Sequence, residues 1–127
     1  MTEKKRILVV DDQREILDVT SLVLQSAGYS TETASSGDEA LDRVTSEPFD
    51  LVLLDINMPG MDGWETLRLL RADDQLEQLV VLMFSVKGEV SDKVHSLQEG
   101  ASGFISKPYE VDDLVERIDR ALGEVAS

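Results

Sequence analysis

A chain of 127 residues with 42% hydrophobic side chains can bury a core of its own, and the expectation is one domain over 1–127. A formal net charge of -14, with the twelve Lys and Arg forming no cluster beyond Lys4, Lys5 and Arg6, argues against direct binding of DNA or RNA. Zero cysteines exclude disulfides, thiolate catalysis and Cys-based zinc sites, and the absence of a membrane-length apolar run or a signal-peptide core leads to the expectation of a cytoplasmic protein with no membrane partner.

The chain alternates strand and helix patterns. Ile7 to Val10 is an apolar run that ends in Asp11 and Asp12. A helix is predicted from about Arg14 to Ala27, where Ile16, Val19, Val23 and Leu17, Leu24 recur near helical spacing and Gly28 supplies a stop. Tyr29 to Ala34 is β-prone but polar, as on an edge strand. Ser36 with Glu39 three residues on forms a capping box for a helix over Ala40, Leu41 and Val44 that ends before Pro48.

Asp50 to Leu54 follows as a strand buried on both faces, running straight into Asp55 and a Pro/Gly-punctuated loop. Trp64 to Ala72 carries Leu67, Leu69 and Leu70 at helical spacing, with Trp64 read as a packing residue and Asp73, Asp74 opening a polar connection. Leu79 to Phe84 is the fourth strand, ending in Ser85. Val90, Val94 and Leu97 mark a helix stopped by Gly100, and the lone histidine, His95, reads as a surface residue beside that stripe. Gly103 to Ser106 is a short fifth strand ending in Lys107 and Pro108, and a last helix is predicted from about Glu110 to Val125 on Val111, Leu114, Val115, Ile118 and Leu122.

Such alternation implies parallel strands with right-handed crossovers, hence an α/β fold of three layers with a doubly wound, five-stranded parallel sheet. Ligands bind such sheets at the carboxyl ends of the strands. Every strand but the second delivers a reactive side chain there: Asp11 and Asp12, Asp55, Ser85 and Lys107. Three carboxylates at one edge repel one another, and a hard divalent cation reverses that repulsion. Mg²⁺ suits one to three carboxylates with a carbonyl and retained waters. With the metal in place one carboxylate can act as a nucleophile toward phosphorus, with the Lys107 ammonium offsetting charge on the transferred oxygens and Ser85 donating a hydrogen bond.

Four stretches in order, Ile7 to Asp12, Leu53 to Gly63, Met83 to Ser85 and Gly100 to Pro108, resemble a two-component response regulator receiver domain of the CheY-like type. The resemblance implies a flavodoxin-like (βα)5 fold with strand order 2-1-3-4-5. It implies Asp55 as phosphoacceptor, Asp12 as a direct Mg²⁺ ligand, Asp11 as a ligand through water, and the backbone carbonyl of Asn57 completing the metal shell. Ser85 then supplies the hydroxyl that follows the phosphoryl group, Lys107 the lysine, and Phe104 the aromatic that swings inward. It also implies a cis bond between Lys107 and Pro108.

Two departures from the family pattern stand out. Val86 occupies a place usually held by a smaller residue, which narrows access to Asp55, and Phe104 replaces a tyrosine. The implied partners are a sensor histidine kinase or a histidine phosphotransfer protein, and downstream a target protein or an output domain outside this chain. In that reaction the chain is itself the substrate, so it is not expected to be an enzyme with turnover. The expected output face comprises the fourth helix, the fifth strand and the fifth helix, with Phe104, His95 and Tyr109 on or near it. Two other classes compete. A Mg²⁺-dependent phosphohydrolase would also use an Asp at a strand end, but its D-x-D signature is absent after the first strand. A receiver-like module could bind partners without being phosphorylated.

Overall fold

The computed structural model describes residues 4–86, 98 and 100–123, with the side chains of residues 85 and 86 excepted. The strands β1 (Arg6–Val10), β2 (Ser30–Ala34), β3 (Leu51–Asp55), β4 (Val80–Val86) and β5 (Gly103–Lys107) form one parallel sheet in the order β2-β1-β3-β4-β5. The helices are α1 (Arg14–Ser26), α2 (Gly37–Ser46), α3 (Gly63–Ala72) and α4 (Val111–Ala121), with a single 3-10 turn at Asp74–Leu76. The helix expected over Val90, Val94 and Leu97, with His95 on it, lies outside the described residues.

Alternate residues of each central strand feed opposite faces of the sheet. Ile7, Val9, Leu51, Leu53, Leu82, Phe84 and Ile105 pack with Leu17 and Leu24 of α1 and Leu114 and Ile118 of α4. Leu8, Val10, Val52, Leu54, Val81, Met83 and Phe104 pack with Ala40 and Val44 of α2 and Leu67 and Leu70 of α3. Both faces of β3 are buried, which is why its sequence is a continuous apolar run. At the β2 edge the strand is only half-buried until Ala34, consistent with its polar composition.

Local signals set the helix ends. Ser36 caps α2 by accepting from the Glu39 amide at 3.1 Å, while the Glu39 carboxylate reaches back to the Ser35 amide at 2.6 Å, one residue before the cap. A second cap was hidden in the loop after β3: Asp62 accepts from the Glu65 amide at 2.9 Å, so α3 begins at Gly63 rather than Trp64. Gly28 follows α1 at φ +99°, a left-handed conformation suited to a residue without a Cβ. Helix α4 gives way at Leu122, short of the predicted Val125.

Arg71 at the end of α3 donates to the carbonyls of Gly100 at 2.9 Å and Leu79 at 2.8 Å, tying α3 to the approaches of β4 and β5. Burial lowers its pKa.

Candidate functional site

The parallel sheet brings the carboxyl ends of β1, β3 and β5 to one edge. Asp11 follows β1 and is fully buried, Asp12 beside it is exposed, and Asp55 is the last residue of β3, with 3% of its surface accessible. One carboxylate oxygen from each of the three lies within 4.8 Å of the others. Asp11 is oriented by its own loop, since its Oδ1 accepts from the Gln13 amide at 2.9 Å. That leaves Oδ2 for Lys107, whose Nζ donates to it at 2.6 Å and to Asp55 Oδ1 at 3.1 Å. The Lys107 to Pro108 bond is cis.

The ammonium does not neutralise the site. Burial pushes Asp55 up from 3.8 to about 6; Lys107 opposes the rise, and the charges of Asp11 and Asp12 add to it. For Lys107, burial favours loss of the proton, but the hydrogen bond to Asp11 and the charge of Asp55 outweigh it and the pKa is raised. Three carboxylates facing one ammonium leave the cluster with excess formal negative charge. A hard cation with an affinity for oxygen relieves that excess. The donor set suits Mg²⁺: three carboxylates, two buried and one exposed, with Asn57 also exposed on the loop two residues beyond Asp55.

The loop that carries Asp55 is packed tightly against α3. A Cβ on Gly63 would stand 2.3 Å from the Asp55 carbonyl oxygen and 2.7 Å from the Ile56 Cα, so only glycine allows α3 to start there. The Gly63 amide donates to the Ile56 carbonyl at 2.8 Å, closing the loop onto the strand end.

The remaining expected residues divide. Ser85 lies inside β4, in register with Ser106, because β4 runs on to Val86 against Lys107. Its hydroxyl and the Val86 side chain lie outside the described part, as do Lys87 and His95. Phe104 is buried, with 9% of its surface accessible, on the α2 and α3 face. Tyr109 turns to the other face, where its hydroxyl meets Thr20 Oγ1 at 3.0 Å and its ring lies 5.8 Å from that of Phe84. Both line one cavity of about 170 Å³ with Pro108 and Arg117.

Sequence reasoning missed Phe84, whose ring centroid lies 4.7 Å from the Lys107 ammonium. Its position directly before Ser85 at a strand end was the available signal. Thr20 and Gly63 were missed as well, and only the spatial arrangement reveals them.

The family model of the response regulator receiver domain matches residues 7–119. The chain belongs to the response regulator receiver domain family, the signal-receiving module of two-component systems. An uncharacterized transcriptional regulatory protein of Bacillus subtilis is 39% identical over 120 residues, covering 94% of this chain and 52% of that protein. The DNA-binding response regulator MtrA of Mycobacterium bovis is 38% identical over 117 residues, covering 92% of this chain and 50% of that protein. The chain thus spans about half the length of the curated relatives it matches.

Among solved structures, a putative response regulator from Chloroflexus aurantiacus superposes with a TM-score of 0.92 at 31% identity, covering 95% of this chain and 99% of that one. The Vibrio cholerae chemotaxis protein CheY4 gives 0.88 at 33% identity, covering 94% and 99%. Among the described residues no helix is long and apolar enough to cross a membrane.

Proposed function

We propose that the chain is a phosphorylation-controlled switch in which Asp55 accepts a phosphoryl group from a histidine kinase or a histidine phosphotransfer protein. The observation that supports this most directly is the convergence of Asp11, Asp12 and Asp55 within 4.8 Å, with the Lys107 ammonium 2.6 Å from Asp11 and 3.1 Å from Asp55. Asp11, Asp12 and Asp55, with the carbonyl of Asn57, would hold Mg²⁺. When bound, it would offset the charge of these carboxylates and of the incoming phosphoryl oxygens.

The chain's own groups do the rest. A carboxylate oxygen of Asp55 forms the new bond to phosphorus while the bond from phosphorus to the donor imidazole nitrogen breaks, and the electron pair leaves with that nitrogen. Lys107 keeps its proton throughout, because its partners raise its pKa, and meets the phosphoryl oxygens as an ammonium. Asp11 fixes Lys107 in place, and Ser85 donates a hydrogen bond to the transferred group. The signal then leaves through β5, which carries Phe104, α4, and the segment between β4 and β5.

Incubation with acetyl phosphate and Mg²⁺, followed by intact mass spectrometry, tests this reading. One phosphoryl group should appear in the wild type, none in Asp55→Asn, and none when EDTA replaces Mg²⁺. An equal adduct in Asp55→Asn would overturn the assignment, and a wild type that takes no phosphoryl group would favour the partner-binding module.

A further inference from the structure

Lys107 and Asp11 meet although their strands do not. In the sheet order β2-β1-β3-β4-β5, both β3 and β4 lie between β1 and β5. No ladder joins β1 to β5 directly; their ends are related only through the successive ladders of β1 with β3, β3 with β4 and β4 with β5, and the ion pair between them closes to 2.6 Å. A contact outside the sheet joins the two corners directly. Thr20, fully buried on α1 about two helical turns past the Asp11 corner, meets the Tyr109 hydroxyl at 3.0 Å. Tyr109 stands two residues after Lys107 on the chain leaving β5. The bond thus ties the helix that follows Asp11 to the loop that follows Lys107, across 89 positions of sequence.

The tyrosine reaches the ammonium by a second route. Its ring lies 5.8 Å from the Phe84 ring at an interplanar angle of 39°, and the Phe84 ring lies 4.7 Å from Lys107 Nζ. A phenylalanine at 109 would fill the same space, so packing alone does not require the hydroxyl. What the hydroxyl adds is direction, since its bond to Thr20 accepts only a narrow range of distances and angles.

We propose that Tyr109, through its hydroxyl bond to Thr20 and its ring contact with Phe84, is a positioning residue that holds the Lys107 ammonium between Asp11 and Asp55. It touches none of the reacting atoms. The inference rests on the reading of Asp55 as the phosphoacceptor.

The test compares Tyr109→Phe, Thr20→Val, the double variant and the conservative Thr20→Ser in the purified chain. Three readouts are taken: adduct formation with acetyl phosphate and Mg²⁺, the urea midpoint, and the NMR shifts of the Lys107 ε-methylene, which the Phe84 ring current displaces. Tyr109→Phe and Thr20→Val should each slow adduct formation about three- to tenfold, the range set by one neutral hydrogen bond. The double variant should be no slower than the worse single one, because both remove one interaction.

With neither hydroxyl left unpartnered, the double variant should also recover its urea midpoint while staying slow. Thr20→Ser should behave as wild type. The Lys107 shifts should move in the three slow variants alone. Wild-type rates and shifts in Tyr109→Phe, or a rate that recovers together with stability in the double variant, would overturn the proposal. Should the wild type form no adduct, the phosphoacceptor reading fails, and the Lys107 shifts still decide whether Tyr109 positions the ammonium.

Discussion

Replacing Asp55 by asparagine should stabilise the metal-free protein, and by an amount that depends on pH. In the folded chain the Asp55 pKa is raised from 3.8 to about 6, so the folded state holds its proton more tightly than the unfolded chain does. Between those two values the folded state carries the extra proton, and stability falls as pH rises through the window. Above pH 6 the full penalty applies, which the linkage relation puts at about 3 kcal/mol at pH 7.5, whereas at pH 4.5, inside the window, only about 1 kcal/mol has developed. Asparagine keeps the shape and never ionises, so it escapes the penalty at both.

Urea titrations in EDTA at the two pH values read the difference directly. At a slope of about 2 kcal/mol/M the Asp55→Asn midpoint should exceed that of wild type by roughly 1.5 M at pH 7.5 and by roughly 0.5 M at pH 4.5. Equal midpoints at pH 7.5, or an advantage that does not shrink toward pH 4.5, would refute the claim that the carboxylate is held against its preference.

Mg²⁺ should reverse the same penalty: at tenfold above its dissociation constant it should add about 1.4 kcal/mol to wild type, and distinctly less to Asp12→Ala, whose lost side chain is exposed and leaves the packing alone; thermal unfolding measures both. Lys107→Ala leaves Asp11 and Asp55 buried without their cation and should cost about 3 kcal/mol or more of stability by urea titration, along with most of the phosphoryl acceptance. Lys107→Arg should not restore acceptance, because the guanidinium is wider and planar. Gly63→Ala must displace either α3 or the Asp55 backbone from a 2.3 Å clash; a stability loss of about 1 to 3 kcal/mol with slowed adduct formation is expected, and wild-type rates would show that the loop end absorbs the methyl freely.

The acidic cluster and its lysine could be read from sequence because each stands at the end of an apolar run, and parallel strands collect such ends at one edge. The buried character of β3 was equally open, since Leu51 to Leu54 leaves no polar face. Depth and partner choice were not. A period of two tells which face Phe84 occupies, but not that its ring lies beneath an ammonium arriving from another strand. Thr20 and Tyr109 look like ordinary helix and loop residues until a contact 89 positions long is known. Arg71 escaped notice because its partners include backbone carbonyls, which no motif displays. Nor does a period of two show that Phe104 packs with the α2 and α3 face while the Tyr109 ring packs with the other.

Helix α3 is fastened at both ends, by Gly63 against the backbone of Asp55 and Ile56, and by Arg71 against the carbonyls of Leu79 and Gly100. A rod pinned at both ends cannot slide. A push on the Asp55 loop therefore meets a stiff abutment on that side. Read mechanically, α3 works as an anvil beneath the Asp55 loop: a force on Gly63 at one end is carried to Arg71 and its two carbonyls at the other.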